Sequence, residues 1–275
     1  MKAPKDHGSG AAIGFSPGRV PGQLLRRWLP PFFFAVAFFA LWEGAVHAFA
    51  VPLYLVPPPS AVLQVAWANS DLLFRDALVT LAEAGMGLVL AFLVAALLSV
   101  AFARFPIVER SIMPFVVAFQ AVPVIAIAPL LVLWFGNGMT GKVILAAIIC
   151  FFPAVINLSR GLRAVSPASL TLMRSLSATP VQVLRYLRLP SAVPYAFAAL
   201  RISATLSVIG AIVAELSGAT RGIGFRIVIS TYRTDTKMLF ASLAFAILMG
   251  LTFYGLTALT ERAVNRVRPF TRVVD

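Results

Sequence analysis

The chain is short of charge, of acid, of histidine and above all of cysteine. Only 12% of its 275 residues are charged, against about 25% in a soluble domain, while 60% fall in the apolar set AVILMFWYC and the mean hydropathy is +0.92. A soluble enzyme, a disordered chain and a disulfide scaffold are all excluded, and the bilayer is the expected solvent. The one cysteine, Cys150, sits in an apolar run beside Phe151 and Phe152; it has no partner for an internal disulfide and reads as a small buried hydrophobe. Two histidines, His7 and His47, are too few for a zinc cluster. Asp71, Asp76 and Asp235 all fall outside the apolar runs, so an intramembrane aspartyl pair is not expected either. No catalytic residue, metal ligand or bound cofactor follows from such a sequence. Lys and Arg number 23 against 10 Asp and Glu, but the basic residues lie between apolar blocks rather than along one face. That pattern suits orientation in a membrane and not nucleic-acid binding.

About 20 apolar residues are needed for a helix to cross a bilayer, and such runs recur six times, near 31–51, 78–103, 112–135, 142–158, 196–216 and 238–259. None alternates as a barrel strand would, and lipid leaves no other way to pair the backbone than in helices. The predicted fold is therefore an all-α integral membrane protein of about six spans. Residues 1–28 read as a flexible cytoplasmic tail, 29–264 as the membrane domain and 265–275 as a second cytoplasmic tail. Positive charge sets the direction. Arg26 and Arg27 precede the first span, Arg104 and Arg110 lie between the second and third, and Arg160, Arg163, Arg174, Arg185 and Arg188 follow the fourth. Both termini should then be cytoplasmic. Arg221, Arg226, Arg233 and Lys237 fall on the wrong side, so either the rule breaks locally or part of this stretch is not a simple loop.

In the first span Glu43 and His47 are four residues apart on one helical face, where they can pair structurally or serve as a proton relay. Ala48-Phe49-Ala50 imitates a signal-peptidase site, a rival reading of this span. Gly136 to Lys142 matches the spacing of a phosphate-binding loop, yet the next residue is Val143 rather than a hydroxyl and both flanks are apolar spans, so it reads as a glycine-rich turn with Lys142 at the interface.

The segment 159–194 is too long for a simple connection and carries its own helix signals. Ser166-Pro167 supplies a cap and a first-turn proline, followed by Leu170, Met173 and Leu176 on one face. Thr179-Pro180-Val181-Gln182 is a capping box that opens a second helix ending near Leu189-Pro190, with Ser177 and Ala178 as the turn. A basic hairpin of this kind can lie on anionic lipid or dock a soluble partner.

This hairpin resembles the cytoplasmic signature loop of ABC importer permeases, E-A-A, three residues, G, nine residues, I-x-L-P. Thr171-Leu172-Met173, Ser177, Leu187 and Leu189-Pro190 fall at those positions, without the Glu and the Gly. Tyr54 to Val264 is similar to the branch serving nitrate, sulfonates, taurine and thiamine-precursor pyrimidines, through Leu55-Val56-Pro57-Pro58-Pro59-Ser60, Ala128-Pro129-Leu130, Trp134-Phe135-Gly136, Phe151-Phe152-Pro153 and Ala214-Glu215.

The resemblance implies a type I, MetI-like transmembrane domain in the bacterial inner membrane. It implies a homodimer, though a heterodimer stays open, with two ATPase subunits that bind the ATP and magnesium and an external solute-binding protein. Pro167, Leu170, Thr171, Met173, Arg174, Leu176, Ser177, Leu189 and Pro190 would form the coupling surface, and the chain itself would hydrolyse nothing. Polar or kinking residues in the spans, Gln120, Pro123, Pro129, Ser203, Thr205 and Ser207, are candidates for the solute path, although a Ser or Thr in a span more often bonds a neighbouring helix or its own backbone. Glu215 is either interfacial and solvated or paired with Arg221 in a gate. The competing class is an ion-coupled secondary transporter or channel.

Overall fold

A computed structural model describes residues 21–267, and every regular element among them is a helix. The chain divides after Ala50 into two compact units. The first is helix α1, Pro21–Ala48. It begins ten residues before the expected span, inside the stretch assigned to the tail; residues 1–20 lie outside the described part. Phe39 stacks on Trp42 with ring centroids 6.1 Å apart. His47 Nε2 lies 3.2 Å from Glu43 Oε1, the expected four-residue pair.

The second unit holds α2 (Pro59–Ala68), α3 (Ser70–Arg104), α4 (Pro106–Gln120), α5 (Val124–Phe135), α6 (Met139–Arg163), α7 (Pro167–Ser175), α8 (Pro180–Val183), α9 (Leu189–Leu216), α10 (Ile223–Tyr232) and α11 (Thr236–Val267). Among the described residues five helices are long and apolar enough to cross a membrane, and α4 with α5 makes a sixth if that bent pair is one span. The expected single span over 112–135 is thus corrected to two helices bent by 98°. Pro123 explains the break: it has no N–H to continue α4, it disfavours helical geometry at Val122, and it caps α5 in extended conformation. Pro129, by contrast, is carried within α5.

The core is α6, packed on α3 and α9. Small residues let these backbones approach, as membrane helices without a hydrophobic drive between them require. A Cβ added to Gly210 would come 2.8 Å from the Ala146 Cα, and one on Gly161 would come 2.8 Å from the Tyr195 Cβ and 2.9 Å from the Ala192 Cα. Cys150 is buried in this seam as expected, its thiol donating to the Ser203 carbonyl at 3.1 Å while Ser203 Oγ donates back to the Cys150 carbonyl at 3.2 Å. Because α6 and α9 are joined through α7 and α8, the hairpin hangs from the two most tightly packed helices of the unit.

Candidate functional site

The hairpin is built by local chemistry. Ser166 Oγ accepts the Ser169 N–H at 3.1 Å to open α7. Thr179 and Gln182 close a capping box, Thr179 N–H donating to Gln182 Oε1 at 2.7 Å and Gln182 N–H to Thr179 Oγ1 at 3.3 Å. Between them Ser177 takes a left-handed conformation, φ 53°. Its N–H donates to the Arg174 carbonyl and that of Ala178 to the Met173 carbonyl, each at 2.9 Å. This is the Schellman closure that glycine usually makes, here carried by a serine at a cost of about 1–2 kcal/mol.

The second arm does not stop at Leu189-Pro190 as expected. A five-residue π-turn, Leu184–Arg188, runs straight into α9, with Pro190 tolerated in its first turn. Arg188 Nη1 donates to the Ala103 carbonyl at 2.6 Å and so ties this arm to the end of α3. Leu170 and Met173 are half-buried, and Leu170 lines a groove of about 490 Å³ with Arg174, Ala178, Leu184 and Val100 of α3. Leu176 is not on that face. It is the C-cap of α7 and 68% exposed, and with Leu172 (60%) and Val181 (70%) it leaves an apolar surface uncovered. Leu172 was missed as a site residue because the three-residue spacing selected the inward face; its place in the E-A-A position was the available signal. Thr171 Oγ1 bonds back to the Pro167 carbonyl at 3.0 Å. Arg104, Arg110, Arg160, Arg163, Arg174 and Arg185 are exposed at this end.

The opposite end is polar and closed. Arg226 of α10 reaches Asp76 of α3 at 2.7 Å, and Lys142 Nζ of α6 reaches Glu83 Oε1 of α3 at 2.8 Å. Glu215 accepts the Thr80 hydroxyl at 2.7 Å and the Gly224 N–H at 2.6 Å, while Ile223 N–H donates to Thr80 Oγ1 at 2.9 Å. Gly222, at φ 109°, packs directly on the Glu215 carboxylate, where a Cβ has no room.

Three expectations are corrected here, and one open alternative is decided. Lys142 is buried and paired, not interfacial. Asp76 lies within α3, which starts eight residues before the predicted span. Glu215 is neither solvated nor paired with Arg221: it is 1% exposed and bonded to Thr80 and Gly224, whereas Arg221 is exposed. The stretch with the discordant charges follows the second of its two readings: it is no simple loop, because it folds back as α10 against α9, α3 and α11. The glycine-rich turn does stand between α5 and α6, with Gly136 at φ 72°.

Of the path candidates, the structure brings Gln120, Pro123 and Pro129 to the exposed face of α4 and α5. Ser203 and Ser207 are fully buried and bonded to the carbonyls of Cys150 and Ala204, and half-buried Thr205 bonds to that of Ile202. Ser203 thus bonds across to α6, while Thr205 and Ser207 bond within α9.

An all-helical bundle with a broken span and a capped hairpin projecting from its two central helices defines a transmembrane transport subunit. The chain belongs to the family of binding-protein-dependent transport system inner membrane components, whose model matches residues 87–272. It is 37% identical to the riboflavin transport system permease protein RibX of Chloroflexus aurantiacus over 82% of this chain and 85% of that one. It is 33% identical to a probable ABC transporter permease of Haemophilus influenzae, over 83% and 93%, and 34% identical to the formylaminopyrimidine transport permease ThiX of Halalkalibacterium halodurans, over 72% and 79%. Its fold is that of a chain in the inward-facing MetNI methionine ABC transporter, with TM-score 0.63 at 18% identity, over 71% and 97%. The protein is the permease component of an ABC importer for a small solute.

Proposed function

We propose that this chain forms the solute path with a second copy of itself, takes its solute from an extracytoplasmic binding protein, and is driven by two ATPase subunits seated on the α7–α8 hairpin. The observation that carries the reading is the exposed apolar surface of Leu172, Leu176 and Val181 on a hairpin joined to α6 by three residues and running directly into α9. A load applied to α7 reaches α6 across the short connection 164–166, and reaches α9 through the Ser177 turn, α8 and the π-turn. ATP and magnesium belong to the partner, and this chain supplies two packings between which nucleotide and loaded binding protein select. The hairpin end, rich in exposed arginine, faces the cytoplasm, as do both termini.

The α4–α5 break supports the second copy. Irregular backbone at membrane depth is tolerated only where protein buries it or it lines a watery space, and residues 119–123, Gln120 among them, are exposed on the single chain. A second copy closes that face and makes Gln120 and Pro123 a wall of the path. The riboflavin and formylaminopyrimidine permeases among the relatives favour a small heterocyclic or anionic solute.

Expressed with the genes adjacent to its own and purified in mild detergent, the chain should carry an ATPase subunit and a second copy of itself, with vanadate-sensitive ATP hydrolysis raised by a loaded binding protein. A chain that purifies without an ATPase and takes up solute on an ion gradient overturns the proposal in favour of a secondary transporter.

A further inference from the structure

The hairpin has two faces, and the ATPase surface takes only one of them. Leu172 and Leu176 stand four residues apart on one side of α7, both exposed. Leu170 and Arg174, also four apart, stand on the other side and line the groove of about 490 Å³ against the end of α3. Arg104 of α3 and Arg188 of the π-turn line it with them, and no acidic side chain does among the described residues. From 159 to 194 the chain carries five arginines and no aspartate or glutamate. Glu109 of the neighbouring α4 is paired with Arg163. The other arginine–carboxylate pairs among the described residues use Arg75, Arg201 and Arg226, so Arg104 and Arg174 are left without an acid. Arg188 commits Nη1 to the Ala103 carbonyl, which leaves the rest of its guanidinium for an anion.

The groove does not end at the arginines. Leu93, Leu97, Val100 and Arg104 follow one another at four, three and four residues, which sets them in a stripe along one face of α3. Val100 and Arg104 line the groove, and beyond it Leu93 is 60% and Leu97 75% exposed. The helix rises about 16 Å from Leu93 to Arg104, about the depth of one leaflet in a hydrocarbon core about 30 Å thick. With Arg104 at headgroup level, the stripe reaches the middle of the bilayer. Exposed Tyr186 beside the Arg185 guanidinium adds the aromatic ring that membrane interfaces favour.

We propose that the groove binds an anionic phospholipid of the cytoplasmic leaflet, its phosphate on Arg104, Arg174 and Arg188 and an acyl chain along Val100, Leu97 and Leu93. The inference rests on the reading of the hairpin end as the cytoplasmic one. The planar guanidinium offers phosphate oxygens paired donors, and basic pockets at the cytoplasmic end of membrane helices take acidic headgroups. A zwitterionic headgroup brings its own cation into a groove with no carboxylate to receive it. A free phosphate would use the arginines and leave the apolar stripe without an occupant. The bound phosphate joins α3 to α7 on the side of α7 away from Leu172 and Leu176, so lipid and ATPase are held at once.

The test is native mass spectrometry of the full chain, purified with its accompanying subunits, delipidated, and given an equimolar mixture of phosphatidylglycerol and phosphatidylcholine with the same acyl chains. The phosphatidylglycerol adduct should exceed the phosphatidylcholine adduct by about fivefold or more. Arg104→Gln with Arg174→Gln should abolish that preference, while Arg160→Gln with Arg185→Gln, which removes equal charge from exposed positions outside the groove, should keep it. Glycerophosphoglycerol, the same phosphodiester without acyl chains, should not displace the lipid at equal concentration. Equal adducts of the two lipids on the wild type overturn the proposal even if the groove variant does not fold. A preference lost equally in both double variants overturns it in favour of diffuse attraction to the basic end, and displacement by glycerophosphoglycerol overturns it in favour of a site for free phosphate esters. The ATPase in the same spectra reports separately on the importer reading.

Discussion

The two ends of the helical bundle solve opposite problems. At the hairpin end order is local: caps, a Schellman turn and a capping box are all made within a few residues, and the apolar Leu172 and Leu176 are left uncovered. At the other end order is global, with contacts between residues 59 to 150 positions apart drawing four helices onto Asp76, Glu83 and Glu215. A surface that must meet a partner keeps its own fold cheaply and holds its apolar groups free. A seam that must hold helices in fixed register hides its polar groups and bonds nearly all of them.

The contrast can be broken most severely at the buried end. Arg226→Ala should strand the Asp76 carboxylate and destabilise the fold by about 3–5 kcal/mol, seen as a large fall in the melting temperature of the detergent-purified protein. Gly222→Ala comes next. It combines a positive φ with a Cβ that collides with the Glu215 carboxylate, and a loss of about 2–3 kcal/mol is expected on the same measurement.

Substitutions at the hairpin surface should separate binding from stability. Leu172→Asp with Leu176→Asp alters side chains that touch little of their own chain, so the melting point should move by no more than about 0.5 kcal/mol in equivalent stability, while co-purification of the ATPase falls at least tenfold. Met173→Arg is a useful contrast, because Met173 is half-buried and its replacement should disturb the hairpin as well as the docking. The smallest effect is expected from Ser177→Gly. Relief of the left-handed serine should stabilise by about 1 kcal/mol or less, read as a slight rise in melting temperature with coupling unchanged.

The same contrast explains what could be read in the chain beforehand. Spans follow from apolar length, and caps follow from residues three apart, so both the helices and the hairpin with its Ser177 turn were legible. Pro123 was legible as a disturbance but not as a 98° break, because its size depends on what α4 and α5 pack against. The buried network was not legible. Taken singly, Asp76, Lys142 and Arg226 read as charges outside the hydrocarbon core; only their pairing with partners distant in sequence makes burial tolerable. One signal was present, since Glu83 and Glu215 both fall inside apolar runs where an ionisable group implies a partner. For the serines the sequence leaves two roles, path lining or bonding to a neighbouring helix or their own backbone, because it does not say which face of a helix meets its neighbour; the structure shows the bonding role.

The central claim is that the hairpin end binds a partner with a surface its own fold does not need. The most direct measurement is ATPase retention and melting temperature, side by side, in the Leu172→Asp, Leu176→Asp double variant. Loss of the ATPase with an unchanged melting temperature is the predicted result; retention of the ATPase, or a melting temperature that falls in step with its loss, contradicts the account.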